Sequence, residues 1–185
     1  MSAVSNPGFD PTHAVRFDLP RGSVRAGGEG DRVLLVPTTA LDDLVLSAPP
    51  EAVEALGRGL GSAVGRRAAA RMGDPAKASI ETFVTQLAGE AAVAGIGALS
   101  VERWGRARVI VVEDSPLAGT ILAPLVAAAI DAASGRRVAC TLLSRDERVA
   151  RILVGSDAGV GRVREWIASG VAWGEALVRL HGGGA

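Results

Sequence analysis

The 185-residue chain has a single cysteine, Cys140, and no tyrosine. One thiol excludes an internal disulfide framework and fits a reducing compartment. Lysine is scarce too: every basic residue except Lys77 is arginine, which with the Ala and Gly enrichment reads first as a GC-rich coding bias. The 20 basic residues are matched by 20 acidic ones, so the footprint of a nucleic-acid binder or of an anionic-membrane binder is missing. Aromatics are confined to Phe9, Phe17, Phe83, Trp104, Trp166 and Trp173, too few to build stacking platforms for bases or sugars. The longest apolar run, near Ile121–Ile130, is too short to span a bilayer. The first residues, MSAVSNPGFDPTHAVRF, carry neither the basic start nor the apolar core of a secretory signal. A soluble, cytoplasmic protein without a membrane span is expected.

The groups that chemistry needs are missing in the same way. His13 lies in a polar N-terminal stretch and His181 beside the terminal glycines. With one Cys, no Tyr and no core His, the usual nucleophile–base pairs cannot be assembled, and no Cys/His cluster has metal-ligand spacing. Carboxylates pair locally at Asp42-Asp43, Glu113-Asp114 and Asp146-Glu147, all in turns or helix starts where they accept backbone N–H bonds. Only Glu113-Asp114, at the end of a buried strand, is placed to be weighed as an acid/base dyad. The glycine-rich RGSVRAGGEGD (Arg21–Asp31) leads into RVLLVP, which reads as a strand; a phosphate loop would need a helix N-terminus there. No catalytic, cofactor or metal residue is expected, and the chain reads as a non-enzyme.

What is present is hydrophobic patterning in quantity, since nearly half the residues are apolar. Val15, Phe17 and Leu19 alternate as a half-buried strand and Arg32–Pro37 forms a second. A short helix over Thr38–Leu46 starts with a Thr39/Asp42 capping box. After Pro49-Pro50, Val53, Leu56, Leu60, Val64, Ala68 and Met72 step along one face of a long helix. On a neighbouring face Gly57, Gly61 and Gly65 fall four apart; each costs roughly 1 kcal/mol of helix propensity, so something must approach closely there. Asp74-Pro75 opens a second long helix with Phe83, Val84 and Leu87 on one side, closed by Gly95–Gly97. Ala98–Trp104 and the continuously apolar Arg108–Glu113 form a hairpin, the latter buried on both faces. Gly119–Gly135 is a third helix, with Pro124 near its first turn. In RRVACTLLSRDERVARILVG (Arg136–Gly155), a second hairpin, Val138, Cys140 and Leu142 share one strand face. A last helix carries Val163, Trp166, Gly170, Trp173, Leu177 and Leu180 as a heptad seam. The order is α+β, with an antiparallel sheet packed on a layer of long helices and an extra C-terminal helix.

That order, with LGRGLG (Leu56–Gly61), GALSVERWGRARVIVVEDSPLAG (Gly97–Gly119) and the closing hairpin RDERVARILVG, resembles the V4R (4-vinyl reductase) domain. V4R domains are relatives of the Bet3 subunits of the TRAPP tethering complex. The resemblance covers roughly Arg32–Gly155, leaving an N-terminal extension over residues 1–31 and a C-terminal amphipathic helix over 156–185. It implies a domain that is often a dimer built through its long helices, with members that sense small aromatic molecules and members that act by protein contact. Zinc-binding V4R sensors carry two cysteines eight positions apart around the last hairpin. Here Leu142 and the Ala150–Ile152 stretch stand in those places, so the zinc chemistry is not implied.

Three readings follow. The first is a non-catalytic interaction module, a scaffold or adaptor, homodimeric and with a protein partner; Gly57, Gly61, Gly65, Trp166 and Trp173 are the candidate surface. Against it stands the plainer role of the two Trp residues as cover for the domain's own core. The second is a sensor for a small apolar ligand, with Leu60, Val64, Phe83, Leu87 and Val126 lining a pocket between helices and sheet. The third, a pigment-biosynthesis-type reductase accessory, follows only from the family name. Cys140, without a second thiol or a neighbouring base, reads as a small core hydrophobe.

Overall fold

A computed structural model describes residues 8–27, 30–75 and 77–182. Its centre is a four-stranded antiparallel sheet, order β4-β5-β7-β6, built from β4 (Ala98–Trp104), β5 (Ala107–Glu113), β6 (Ala139–Arg145) and β7 (Val149–Gly155). The two inner strands explain the apolar run read in β5. Val109 and Val111 face one side with Leu153, while Ile110 and Val112 face the other with Ile152 and Ala150. Both sides are therefore covered, and each fully buried Val, Leu or Ile contributes about 1.5–3 kcal/mol.

One face of this sheet carries the helical layer: α2 (Pro50–Met72), α3 (Ile80–Val93) and α4 (Gly119–Ser134). The other face carries α5 (Asp157–Ala168) and α6 (Trp173–Gly182), packed around Val160, Val163, Ala176 and Leu177. The expected α+β architecture, an antiparallel sheet on helices, is the observed one. A smaller antiparallel sheet, β1-β2-β3, is formed by β1 (Val15–Asp18), β2 (Ser23–Ala26) and β3 (Arg32–Val33), and α1 (Thr38–Ser47) follows it. Its β2–β3 ladder pairs Arg25 with Arg32 and so crosses residue 31, where the N-terminal extension was expected to end.

The glycine steps of α2 meet α4. A Cβ at Gly57 would lie 2.7 Å from the Ile121 carbonyl oxygen, and at Gly61 and Gly65 it would overlap the carbonyl oxygens of Leu125 and Ala129. Backbone therefore packs directly on backbone, as only glycine permits. Behind this seam lies a buried charge: Glu90 of α3 is 1% exposed and binds both Arg67 Nε, at 2.7 Å, and Arg71 Nε of α2. Arg71 also stacks over the Phe9 ring, 4.5 Å from its centroid, and donates to the Asp10 carbonyl at 3.1 Å. Phe9 itself occupies the space that a side chain at Gly89 would fill. The N-terminal segment is thus tied to the helical layer through Glu90.

Several expectations are corrected. β2 arises inside the glycine-rich stretch read as loop, because Val24 and Ala26 find partners in Val33 and Val15. The strand expected over Arg32–Pro37 ends at Val33. α1 begins after Pro37 without a side-chain cap, so Thr39 and Asp42 form no capping box. α3 begins at Ile80 rather than Pro75, where Ser79 accepts from the Thr82 N–H. Pro124 lies inside α4, seated against Gly57. The single C-terminal helix is two, broken after Ser169 where Gly170 takes φ +90°.

Candidate functional site

A groove of about 710 Å³ lies between α1, the first half of α2, α4, β6 and α5. Its apolar lining is small-residue surface: Val45 and Ala48 at the end of α1, Val53 of α2, Ala123, Pro124, Ala127 and Ala128 of α4, and Val138 to Cys140. The alanines of α4 follow from its helix period; the face opposite the core seam of Ile121, Leu125 and Val126 falls on small side chains and leaves space. Six charged residues border the groove, and they balance: Arg58, Arg137 and Arg164 against Glu54, Asp131 and Asp157. Glu54 and Arg58 pair with each other along α2. Asp131 accepts the Val138 N–H at 2.7 Å, which fixes the entry into β6. Arg137 forms no ion pair among the described residues.

Cys140 lies where this groove meets the core. Burial, reinforced by the nearby Asp131 charge, pushes its thiol up to about 12. A thiol held that far above neutrality is no nucleophile, and Cys140 packs as a core side chain. Among the described residues no group of three or more His, Cys, Asp or Glu could hold a metal, and no described helix is long and apolar enough to cross a membrane. Of the carboxylate pair at the end of β5, Asp114 is exposed and held bidentately by Arg148 at 2.9 and 3.1 Å. That hydrogen bond and the guanidinium charge keep its carboxyl below the usual range, the opposite of what a general acid needs.

The residues singled out from sequence are not brought together in this groove. Val64, Leu87 and Val126 are buried in the core beneath the sheet, with Leu60 and Phe83 packed against it; none of the five lines the groove. Gly57, Gly61 and Gly65 face α4 of the same chain and offer no surface to a partner. Trp166 and Trp173 fall on separate helices and pack on the chain's own second cluster. Trp173 meets Trp104 edge-on, ring centroids 5.1 Å apart, and lies under Arg151. Because α5 and α6 are broken apart, no heptad seam joins the two Trp residues. Missed from sequence were the α4 alanine face, readable only once the buried side of α4 is known, and the Arg67–Glu90–Arg71 cluster, whose members are 19 and 23 residues apart.

With this geometry the chain is similar to several solved structures, one of which matches it over most of its length. The crystal structure of the phenol-responsive sensory domain of the transcription activator PoxR, with phenol, superposes with a TM-score of 0.60 at 17% identity. The match covers 90% of this chain and 91% of that one. At this identity the likeness carries the fold alone. No family model matches the chain, and no curated protein matches it either.

Proposed function

We propose that this protein is a small-molecule sensor domain, non-catalytic, that holds an apolar ligand and passes on its presence through a change in its own packing. The observation that carries the reading is the architecture shared, over 90% of this chain, with a domain that responds to phenol. The groove between α2, α4 and β6 supports it: an apolar floor with a few charged residues at the border is the usual composition of a small-ligand site. This reading takes precedence over the scaffold expected from sequence, because the glycines and tryptophans assigned to a partner are used within the chain.

The test is ligand-induced stabilisation. Phenol and a panel of small apolar compounds are added to the purified protein; a binder at 100 times its Kd raises the unfolding free energy by about 2.7 kcal/mol. Ala127→Phe fills the groove and is expected to abolish the shift while the domain stays folded. No thermal shift with any compound, and no co-purifying ligand by native mass spectrometry, would overturn the proposal. A shift that survives Ala127→Phe would move the site from the groove to the interior around Leu60, Phe83 and Val126.

A further inference from the structure

The sheet face opposite the helical layer carries a second, smaller concavity. It is a cleft of about 270 Å³ where the turn joining β4 to β5, the end of β7, the start of α5 and the end of α6 come together. Its floor is apolar, with Ala107, Leu153, Val160 and Leu180. Its charges are of one sign. Arg106, Arg162 and His181 border it, one from each of three separate elements, and no carboxylate does. In a chain whose 20 basic and 20 acidic residues balance, that is a local departure.

Neither arginine is neutralised within the chain. Arg106 and Arg162 form no ion pair among the described residues. Cationic groups over an apolar floor focus a positive potential into the cleft. His181 is held in place there. Its Nε2–H donates to the Trp104 carbonyl at 2.7 Å, because a carbonyl can only accept. A Cβ at Gly105, where φ is +60°, would come within 3.1 Å of the same ring, so the hairpin tip lies directly against the histidine. The start of α5 adds the positive end of its dipole through Ser156 and Gly159. Ser156 already accepts the Gly159 N–H at 3.3 Å, so the helix end is capped and the side-chain cations define the cleft.

We infer that this cleft binds the phosphoryl group of a small phosphate monoester, whose apolar part lies on the floor of Ala107, Leu153 and Leu180. Two arginines, each able to donate a pair of parallel N–H bonds, match the three terminal oxygens and the double charge of a phosphoryl group. A carboxylate offers one charge and two oxygens, which a single arginine satisfies. The volume lies at the small end of ligand sites and limits the ester to a compact one. The cleft and the groove share no lining residue, so this inference can fail while the sensor reading stands, and the reverse.

The experiment is isothermal titration calorimetry of the full chain with phenyl phosphate, inorganic phosphate and phenol. Phenyl phosphate is expected to bind saturably, more tightly than inorganic phosphate and less tightly as salt rises. Arg106→Gln and Arg162→Gln, both at exposed positions, each weaken it about 10-fold. Circular dichroism stays unchanged in both, and Arg16→Gln in the small sheet leaves the affinity as it was. Amide spectra give a second readout, in which the Ser156 and Gly159 N–H signals move on titration. No saturable binding at millimolar phenyl phosphate overturns the inference, as does an affinity indifferent to both arginine variants. Amide shifts confined to the groove around Ala127 and Cys140 overturn it too. Phenol binding without phenyl phosphate binding overturns it and leaves the sensor reading intact. A phosphoserine peptide that binds more tightly than phenyl phosphate would overturn the small-ester assignment.

Discussion

Two successive helices invert the usual relation between composition and burial. α1, TTALDDLVLS, is rich in large apolar side chains and buries none; α2, PEAVEALGRGLGSAVGRRAAARM, is studded with arginine and glycine and buries six residues. What separates them is the neighbour each one meets. α2 lies against α4 with glycine facing carbonyl, so close contact is made by backbone and small atoms. α1 has the side chains for a core but, among the described residues, no element of its own chain across its outer face. Hydrophobicity makes burial favourable; shape and a partner decide whether it happens.

The sharpest way to break this contrast is at the seam. Gly61→Leu places a branched side chain into the Leu125 backbone and is expected to leave no stable native state, as read by loss of the cooperative urea transition. A folded Gly61→Leu protein would mean that the two helices can separate, and the glycine explanation would fall.

Next comes Glu90→Ala, which leaves Arg67 and Arg71 partly buried without their carboxylate and removes the tie to Phe9 and Asp10. Breaking a buried pair from one side costs about 3 kcal/mol or more, measurable by chemical denaturation. A loss below about 1 kcal/mol, the range of a surface pair, would show that water already reaches the cluster.

Smaller is the effect of Cys140, which borders both regions: core side chain of the helical layer and floor of the groove beside α1. Its folded thiol titrates near 12 against an ordinary 9.0. The folded state holds the proton more tightly, so the stabilisation is complete below the ordinary thiol range. It fades as pH rises from there toward 12. The difference between wild type and Cys140→Ala in unfolding free energy is expected to shrink by roughly 1 kcal/mol between pH 8 and pH 10. A constant difference would mean that the thiol is hydrated from the groove.

Smallest, and of opposite sign, is Gly59→Ala. Gly59 lies in α2 between the seam glycines yet faces open space, so the substitution should stabilise by roughly 0.5–1 kcal/mol through helix propensity alone. Thermal denaturation showing destabilisation would mean that even the outer face of α2 is covered.

Much of the fold is legible where a local period meets a single partner. The alternation in Ala98–Trp104, the double-sided apolar run in β5 and the three-and-four spacing of α2 translate directly into strands and helix, because each pattern has one geometry that buries it. Legibility fails where the deciding contact is distant in sequence. β2 lies in a stretch that reads as loop, and only its pairing with Val33 and Val15 makes it a strand. The C-terminal seam reads as continuous through Gly170, yet the chain turns there at φ +90° and α6 packs into the same cluster as α5. The pocket residues chosen from sequence, Leu60 through Val126, are apolar on the right helix faces, and that is why the core absorbs them. The groove forms instead where α4 presents alanine.

By itself the sequence determined that this chain forms an antiparallel sheet under long helices, and that its lone thiol has no second cysteine in the chain to pair with. Those properties follow from period and inventory, which are local. Tertiary structure alone decided which small residues close a helix seam and which leave a groove, where Glu90 finds its two arginines, and that Arg106, Arg162 and His181 border one cleft. Each of these depends on the register between segments, and register is set by packing against partners that no local pattern specifies.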